Sequence, residues 1–143
     1  MGVLGLEKTG LSVVKAVEQA GGLLICWDDN KENRDKIKVN GITIKDLNEK
    51  NLMRKLDLLV VSPGVPHLYP NAHPIVNLAY ELNIRVDNDI GLFFSSYIEE
   101  EYETFSDPPK IIAITGSNGK STATALASHV LSKFFSDVEM GGN

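Results

Sequence analysis

The sequence is poor in cysteine, in basic residues and in long apolar runs, and each scarcity excludes a class of protein. Cys26 is the only cysteine, which excludes an internal disulfide, and its apolar neighbours predict a buried small hydrophobic residue. Fourteen Lys and Arg against 19 Asp and Glu give a net charge of -5, which argues against a general nucleic-acid or anionic-membrane binder. The apolar stretches are shorter than the about 20 residues that span a membrane, and residues 1–5 lack the features of a secretory signal. We therefore expect a cytoplasmic protein with no membrane span and no nucleic-acid partner.

The chain instead contains short apolar runs that alternate with amphipathic patterns. Apolar runs predict strands at residues 3–4, 23–27, 41–44, 56–61 and 84–86. Helical periodicity predicts helices at residues 11–20 and 90–98, and a further helix that opens at Pro74 with help from His73. This repetition predicts an α/β fold, a Rossmann-like parallel sheet with helices on both faces.

An acidic segment at residues 99–109 predicts a boundary between two domains. It ends in two prolines, so it fits a linker, or a solvated helix end followed by a loop. A new unit follows, with a buried strand predicted at residues 110–115 and a helix at 120–134. One strand and one helix are too few to close a domain, which predicts that the sequence is a fragment of a longer protein. The expected divisions are a Rossmann-like domain at 1–95, a linker at 96–107 and the truncated start of a P-loop ATPase domain at 108–143.

A glycine-rich loop between that strand and that helix is the strongest chemical signal. Gly-x-x-Gly-Lys-Ser-Thr in this setting is typical of a loop that binds the phosphates of ATP, although Ile114 stands where the common loop has an earlier glycine. The helix start turns N–H groups toward the anion, and Lys120, the predicted catalytic residue, adds a charge at the β- and γ-phosphates. Ser121 or Thr122 can place a hydroxyl on Mg²⁺. The predicted ATP-binding residues are Gly116, Ser117, Asn118, Gly119, Lys120, Ser121 and Thr122. The alternative is a glycine turn with a solvated lysine.

A second glycine cluster, at residues 2–10, joins the first strand to the first helix. It lacks a complete Gly-x-Gly-x-x-Gly pattern, so it fits a helix-capping turn as well as a diphosphate site. Asp28 or Asp29 ends the next strand, where a dinucleotide enzyme holds a ribose hydroxyl. Ser62 and Gly64 follow another predicted strand, and ligands of parallel sheets bind at such carboxyl ends.

The two glycine clusters together resemble the Mur ligase family, which builds the peptidoglycan precursor. The loop at 115–122 looks like the short ATP loop of that family, and three further stretches are similar in order: residues 5–12, residues 62–66 with His73 and Pro74, and residues 141–143. Three positions depart from the pattern. Glu7 stands where relatives usually show a glycine, and Asn88 and Gly91 replace the usual Gly and Glu.

The resemblance implies an ATP- and Mg²⁺-dependent ligase whose substrates are UDP-N-acetylmuramoyl-L-alanine and D-glutamate. It would form an acyl phosphate that the D-glutamate amine attacks. The substrate-binding residues so implied are Leu6, Thr9, Gly10, Asp29, Asn30, Ser62, Gly64 and Asn143, and the metal ligands are Ser121 and Thr122. Another Mur ligase, a folate polyglutamate ligase, a nicotinamide-dependent oxidoreductase and a non-catalytic nucleotide-binding module stay open as alternatives. The fragment alone is expected to be inactive.

Overall fold

The chain divides into two compact units, Met1–Thr104 and Phe105–Asn143. The structure is a computed structural model that describes residues 1–37, 42–104 and 110–141, without the side chains of 97–104. Each unit is described separately.

The first unit is a five-stranded parallel sheet with helices packed on it. Its strands are β1 (Gly2–Leu4), β2 (Ile25–Trp27), β3 (Thr43–Ile44), β4 (Leu58–Val61) and β5 (Arg85–Asp87). Its helices are α1 (Lys8–Gln19), α2 (Lys31–Lys36), α3 (Lys50–Met53), α4 (Pro74–Glu81) and α5 (Asp89–Thr104). The strand order is β3-β2-β1-β4-β5, and every pairing is parallel. The sequence expectation of a Rossmann-like α/β fold is thus confirmed.

Alternation along the strands separates two hydrophobic cores, one on each face of the sheet. In β1, Leu4 joins the first core while its neighbour Val3 joins the second. In β4, Leu59 and Val61 join the first core and Val60 joins the second. The first core also contains buried residues of α3 and α4, and the second contains those of α1. Strands buried on both faces read as continuous apolar runs, which is why the sequence signals them so clearly.

Local sequence explains where the helices begin. Pro74 occupies the first turn of α4, where its missing N–H costs nothing, and the His73 side chain accepts a hydrogen bond from the N–H of Ile75. The prediction that His73 helps to start this helix is confirmed. Asn30 caps α2 in the same manner by accepting from the N–H of Glu32.

Several element bounds differ from the sequence prediction. The first helix begins at Lys8 rather than at residue 11. Strand β2 begins at Ile25 rather than at Leu23, which is 88% exposed. Helices α2 and α3 have six and four residues, too short for periodicity to signal. Helix α5 continues to Thr104, well into the segment predicted to be a linker. The part of the predicted third strand at Gly41 lies outside the described residues.

The second unit contains one helix, α6 (Lys120–Leu131), within its described residues 110–141. The prediction of a buried strand at 110–115 is wrong, because this segment has no regular secondary structure and Ile112 is 62% exposed. A strand requires a hydrogen-bonded neighbour, and no strand is present among the described residues of this unit. Every residue of α6 is exposed or half-buried.

Candidate functional site

A crevice opens where the chain leaves adjacent strands β1 and β4 in opposite directions. Ligands of open parallel sheets bind outside the carboxyl ends of the strands at such a switch point. The two strand ends are joined at the bottom of the crevice. The Ser62 N–H donates to the Leu4 carbonyl at 2.9 Å, and the Ser62 hydroxyl donates to the Gly5 carbonyl at 2.8 Å. Ser62, predicted as a substrate residue, is 8% exposed and therefore shapes the crevice floor.

Close packing explains the first glycine cluster. Gly5 has a φ of +90°, a left-handed conformation that favours glycine. A Cβ on Gly10 would lie 1.8 Å from the Gly5 carbonyl oxygen, so α1 can approach the loop only if this position lacks a side chain. Gly10, predicted to bind substrate, thus sets how closely α1 sits beside the crevice. This corresponds to the third glycine of a dinucleotide fingerprint, which serves helix–strand packing.

Asp28 organises the loop that follows β2. Its side chain is buried, with 9% of the residue exposed. It accepts hydrogen bonds from the N–H groups of Leu6 and Asn30, at 2.6 and 2.8 Å, and from the Asn33 amide at 3.2 Å. Asp28 therefore holds the loop after β1 against the loop after β2. The sequence left the choice between Asp28 and Asp29 open, and the structure assigns the internal role to Asp28.

Asp29, by contrast, extends from the same loop with an exposed side chain. One carboxylate oxygen accepts from the Trp27 indole N–H at 3.1 Å, and the other contacts His73 Nε2 at 2.9 Å. The hydrogen bond from His73 has the largest effect and lowers the pKa of Asp29 below 3.8. Burial opposes it, while the hydrogen bond from Trp27 and the charges of His73 and Arg34 lower the pKa further. The carboxylate is therefore ionised at neutral pH.

Arg34 closes the other side of this loop. Its guanidinium donates to the carbonyls of Asp28 and Asp29 at 2.5 and 2.9 Å and lies 4.4 Å from the centre of the Trp27 ring. Bonds to two successive carbonyls fix the backbone at the end of β2. The side chains of Asp28 and Asp29 therefore extend from a stretch of backbone that Arg34 holds in place.

A cavity of about 190 Å³ lies between these loops. It is lined by Leu4, Gly5, Asp28, Asp29, Gly64, Val65, Pro66 and His73. Among the described residues, those lining it include two carboxylates and neither a lysine nor an arginine. The cavity is smaller than the about 300–1,000 Å³ of typical ligand pockets, so it suits part of a ligand. Its two carboxylates are hydrogen-bond acceptors, which favours a ligand part that donates. A second cavity of about 230 Å³ lies beyond β4 and β5, between Pro63 and Asp87.

The predicted substrate residues separate into different roles. Asp29 and Gly64 line the smaller cavity, whereas the side chain of Leu6 lies in the second core with 1% exposure. Thr9 is half-buried in the first turn of α1, and Asn30 is committed to capping α2. Asn143 lies outside the described residues. Val65, Pro66 and His73 line the cavity but were not among the predicted substrate residues, although they lie in the stretch at 62–66 and 73–74 that resembles the family.

The departures at Asn88 and Gly91 belong to one local arrangement at the start of α5. The Asn88 side chain accepts from the Gly91 N–H at 2.8 Å. The Asp87 carboxylate occupies the space beside Gly91, where a Cβ would lie 1.7 Å from its oxygen. The two unusual residues therefore suit each other and the end of β5.

The glycine-rich loop of the second unit, predicted to bind phosphate, contains a left-handed glycine just before α6. Gly119, at the N-cap of α6, has a φ of +76° and provides no side chain for a cap. The first N–H groups of a 12-residue helix are thus left for another partner. Lys120 Nζ donates to the carbonyls of Gly116 and Ser117 at 2.6 and 3.3 Å, which holds its charge over the loop. These features fit a phosphate group.

The predicted metal ligands are exposed hydroxyls. Ser121 and Thr122 lie in the first turn of α6 and together offer two oxygens. Among the described residues, no cluster of three or more His, Cys, Asp or Glu could hold a metal ion. Since Mg²⁺ prefers about six oxygens, these hydroxyls could serve it only together with phosphate oxygens and water. None of the described helices has the length and apolar character needed to cross a bilayer.

The fold and the crevice define the first unit as a Rossmann-like α/β domain with a crevice at its switch point. No family model matches the chain. Over 141 residues, 99% of this chain, it is 45% identical to a UDP-N-acetylmuramoylalanine–D-glutamate ligase of Ruegeria pomeroyi. It is 43% and 41% identical over the same share to ligases of that name from Roseobacter denitrificans and Jannaschia sp.. The chain spans 30% of the length of these relatives. Over nearly its whole length, the chain is therefore similar to part of these ligases.

Proposed function

We propose that the chain is the part of a UDP-N-acetylmuramoylalanine–D-glutamate ligase that binds the nucleotide substrate and supplies the ATP phosphate loop. One observation carries the proposal. The 45% identity extends over 141 of the 143 residues, so it includes both the crevice and the loop at 116–122.

The nucleoside half of the substrate suits the cavity that Asp29 lines. Uracil has an imide N–H and ribose has hydroxyl groups, and both can donate to the exposed carboxylate of Asp29. A diphosphate would be repelled there, because Asp28 and Asp29 line the cavity without a compensating lysine or arginine among the described lining residues. This charge distribution favours the diphosphate near the start of α1, where helix N–H groups point outward.

Glu7 disfavours a diphosphate at the start of α1. It is the N-cap of α1, is exposed and makes no side-chain cap bond among the described residues. A carboxylate beside a diphosphate site costs binding energy, although water reduces the repulsion. We therefore expect the UDP moiety to be bound mainly through its nucleoside half.

The second unit would bind ATP through the N–H groups of the loop and of the α6 start. Lys120 would leave the loop carbonyls for the phosphates, and Mg²⁺ would supply further positive charge when bound. The proposed reaction transfers the γ-phosphoryl group to the substrate carboxylate, which converts a poor electrophile into an acyl phosphate. The amine of D-glutamate then attacks the acyl carbon and inorganic phosphate leaves, so the net products are the amide, ADP and phosphate.

Binding is tested with the chain itself. Trp27, the only tryptophan, donates to Asp29 and so reports on the cavity through its fluorescence. We expect UDP-N-acetylmuramoyl-L-alanine and UDP to change this fluorescence saturably, and NAD to do so only weakly. Tighter binding of NAD would support an oxidoreductase and overturn the proposal.

Ligation is tested in a chimera, because the chain spans 30% of its relatives. The matching region of the Ruegeria pomeroyi ligase is replaced by this chain, and ADP release is followed with both substrates present. We expect substrate-dependent turnover, which Lys120→Ala abolishes and Lys133→Ala, the removal of an exposed lysine just after α6, does not. A folded chimera that binds UDP but never ligates would favour a non-catalytic nucleotide-binding module. The 143-residue chain alone is expected not to turn over ATP.

A further inference from the structure

We propose that His73 is a positioning residue for nucleotide binding, which fixes the carboxylate of Asp29 at the cavity while it caps α4. The inference rests on the proposed nucleotide site. His73 comes from the segment that follows β4, and Asp29 comes from the loop that follows β2, 44 residues earlier. Their contact closes one side of the cavity that both residues line.

Two hydrogen bonds select the tautomer of the neutral imidazole ring. The Ile75 N–H donates to Nδ1 at 3.2 Å, so Nδ1 must present its lone pair. The ring proton then resides on Nε2, which is the atom 2.9 Å from Asp29 Oδ2. The cap of α4 therefore selects the tautomer that donates to Asp29, and a single side chain links helix initiation to the cavity wall.

Asp29 needs such a partner because its side chain is 69% exposed. An exposed carboxylate samples several rotamers, and ordering it on ligand binding costs about 0.5–1.5 kcal/mol. Its two oxygens are instead already committed, one to the Trp27 indole N–H and one to His73. Each oxygen keeps a lone pair for a ligand N–H or O–H. His73 thus orients a ligand contact without itself being required to touch the ligand.

Two substitutions separate the capping role from the positioning role. His73→Ser keeps an oxygen that can cap α4, and serine is among the preferred capping residues, but its side chain is too short to reach Asp29. His73→Gln places an amide N–H near the position of Nε2 but caps poorly. Ile75→Val serves as the control for stability, since it removes one methyl group in the buried first turn of α4, lowers the urea unfolding midpoint and leaves His73 unchanged.

The measurements are the dissociation constant for UDP, from Trp27 fluorescence or calorimetry, and the urea unfolding midpoint of the 143-residue chain. We expect His73→Ser to keep its midpoint but to bind UDP about threefold to tenfold more weakly, the factor that corresponds to ordering one side chain. His73→Gln should lose stability and yet bind more tightly than His73→Ser. Ile75→Val should lose stability and keep the wild-type dissociation constant.

The outcomes discriminate the roles. If affinity follows the unfolding midpoint across the three variants, His73 has a structural role only and the inference is wrong. Unchanged binding by His73→Ser also overturns it, provided that the wild-type chain binds UDP. A wild-type chain that binds neither UDP nor UDP-N-acetylmuramoyl-L-alanine contradicts the proposed function, and so is distinguishable from failure of the inference.

Discussion

The Ser62 hydroxyl donates a buried hydrogen bond of 2.8 Å to the carbonyl oxygen of Gly5, a residue 57 positions earlier in the chain. It fixes the end of β4 to the loop after β1, at the floor of the crevice. Ser62→Ala should lower the free energy of unfolding by about 1–3 kcal/mol, because a buried acceptor loses its partner. Urea denaturation of the chain measures this.

The matched control for Ser62 is Ser12→Ala. Ser12 also donates to a carbonyl, that of Lys8, but in an exposed position on α1. Its loss should change stability by less than about 0.5 kcal/mol. Equal effects of the two substitutions would show that burial of the Ser62 bond has no energetic weight.

Gly10→Ala should be among the most destabilising single-methyl additions in the first unit. The new Cβ would lie 1.8 Å from the Gly5 carbonyl oxygen. Because this oxygen belongs to the backbone, the clash can be relieved only if α1 moves away. We expect a loss of about 3 kcal/mol or more, the upper range for overpacking. Gly64→Ala is the control, since among the described atoms nothing lies within 4 Å of its added Cβ. A lower melting temperature for Gly64→Ala than for Gly10→Ala would contradict this prediction.

Cys26 should be unreactive in the folded chain and should destabilise it at high pH. The residue is fully buried, and this burial raises the pKa of its thiol to about 12 from an ordinary 9.0. Above pH 9 the unfolded chain loses the proton while the folded chain keeps it, so stability present below pH 9 falls as the pH rises toward 12. Labelling with a thiol reagent at pH 8 should require urea, and Cys26→Ala should remove the part of the alkaline loss that this thiol contributes. Rapid labelling of the native chain would refute this.

Glu7→Gln should strengthen UDP binding by about twofold to fivefold, the effect of removing one like charge several ångströms away in water. Glu7 is exposed at the N-cap of α1, beside the proposed diphosphate position. The gain should shrink as salt is added. Glu18→Gln removes the same charge at the other end of this helix and should leave the affinity unchanged. An equal gain from both would indicate a general charge effect instead of a local one.

The amount that the sequence reveals depends on whether a signal is local. Apolar runs such as 56–61 predict the parallel fold. A strand buried on both faces is a continuous apolar run, so it can be recognised without knowing which strands it pairs with. The cap at His73 is likewise visible, since Pro74 follows it. The contact of His73 with Asp29 is not, because it joins two loops whose distance depends on strand order.

Burial divides the candidate residues in a way that sequence alone could not. Leu6 and Asp29 were both interpreted as substrate residues, yet one lies in the second core and the other extends into solvent. The predicted strand at 110–115 fails for the opposite reason. Its residues have the composition of a strand, but pairing is a property of neighbours, which residues 110–141 as described do not provide.

Because Val3 and Leu4 belong to different cores, adjacency in the chain is a poor guide to which mutations interact energetically. The losses of unfolding free energy from truncating Val3 and Leu4 should be nearly additive. Leu4 and Ile75 are 71 positions apart but lie in one core, so the losses from truncating these two residues should not be additive. Sequence drift at β1 is thus constrained through two independent sets of partners. A substitution tolerated at a residue that faces one core therefore does not imply that a substitution of the adjacent residue is tolerated.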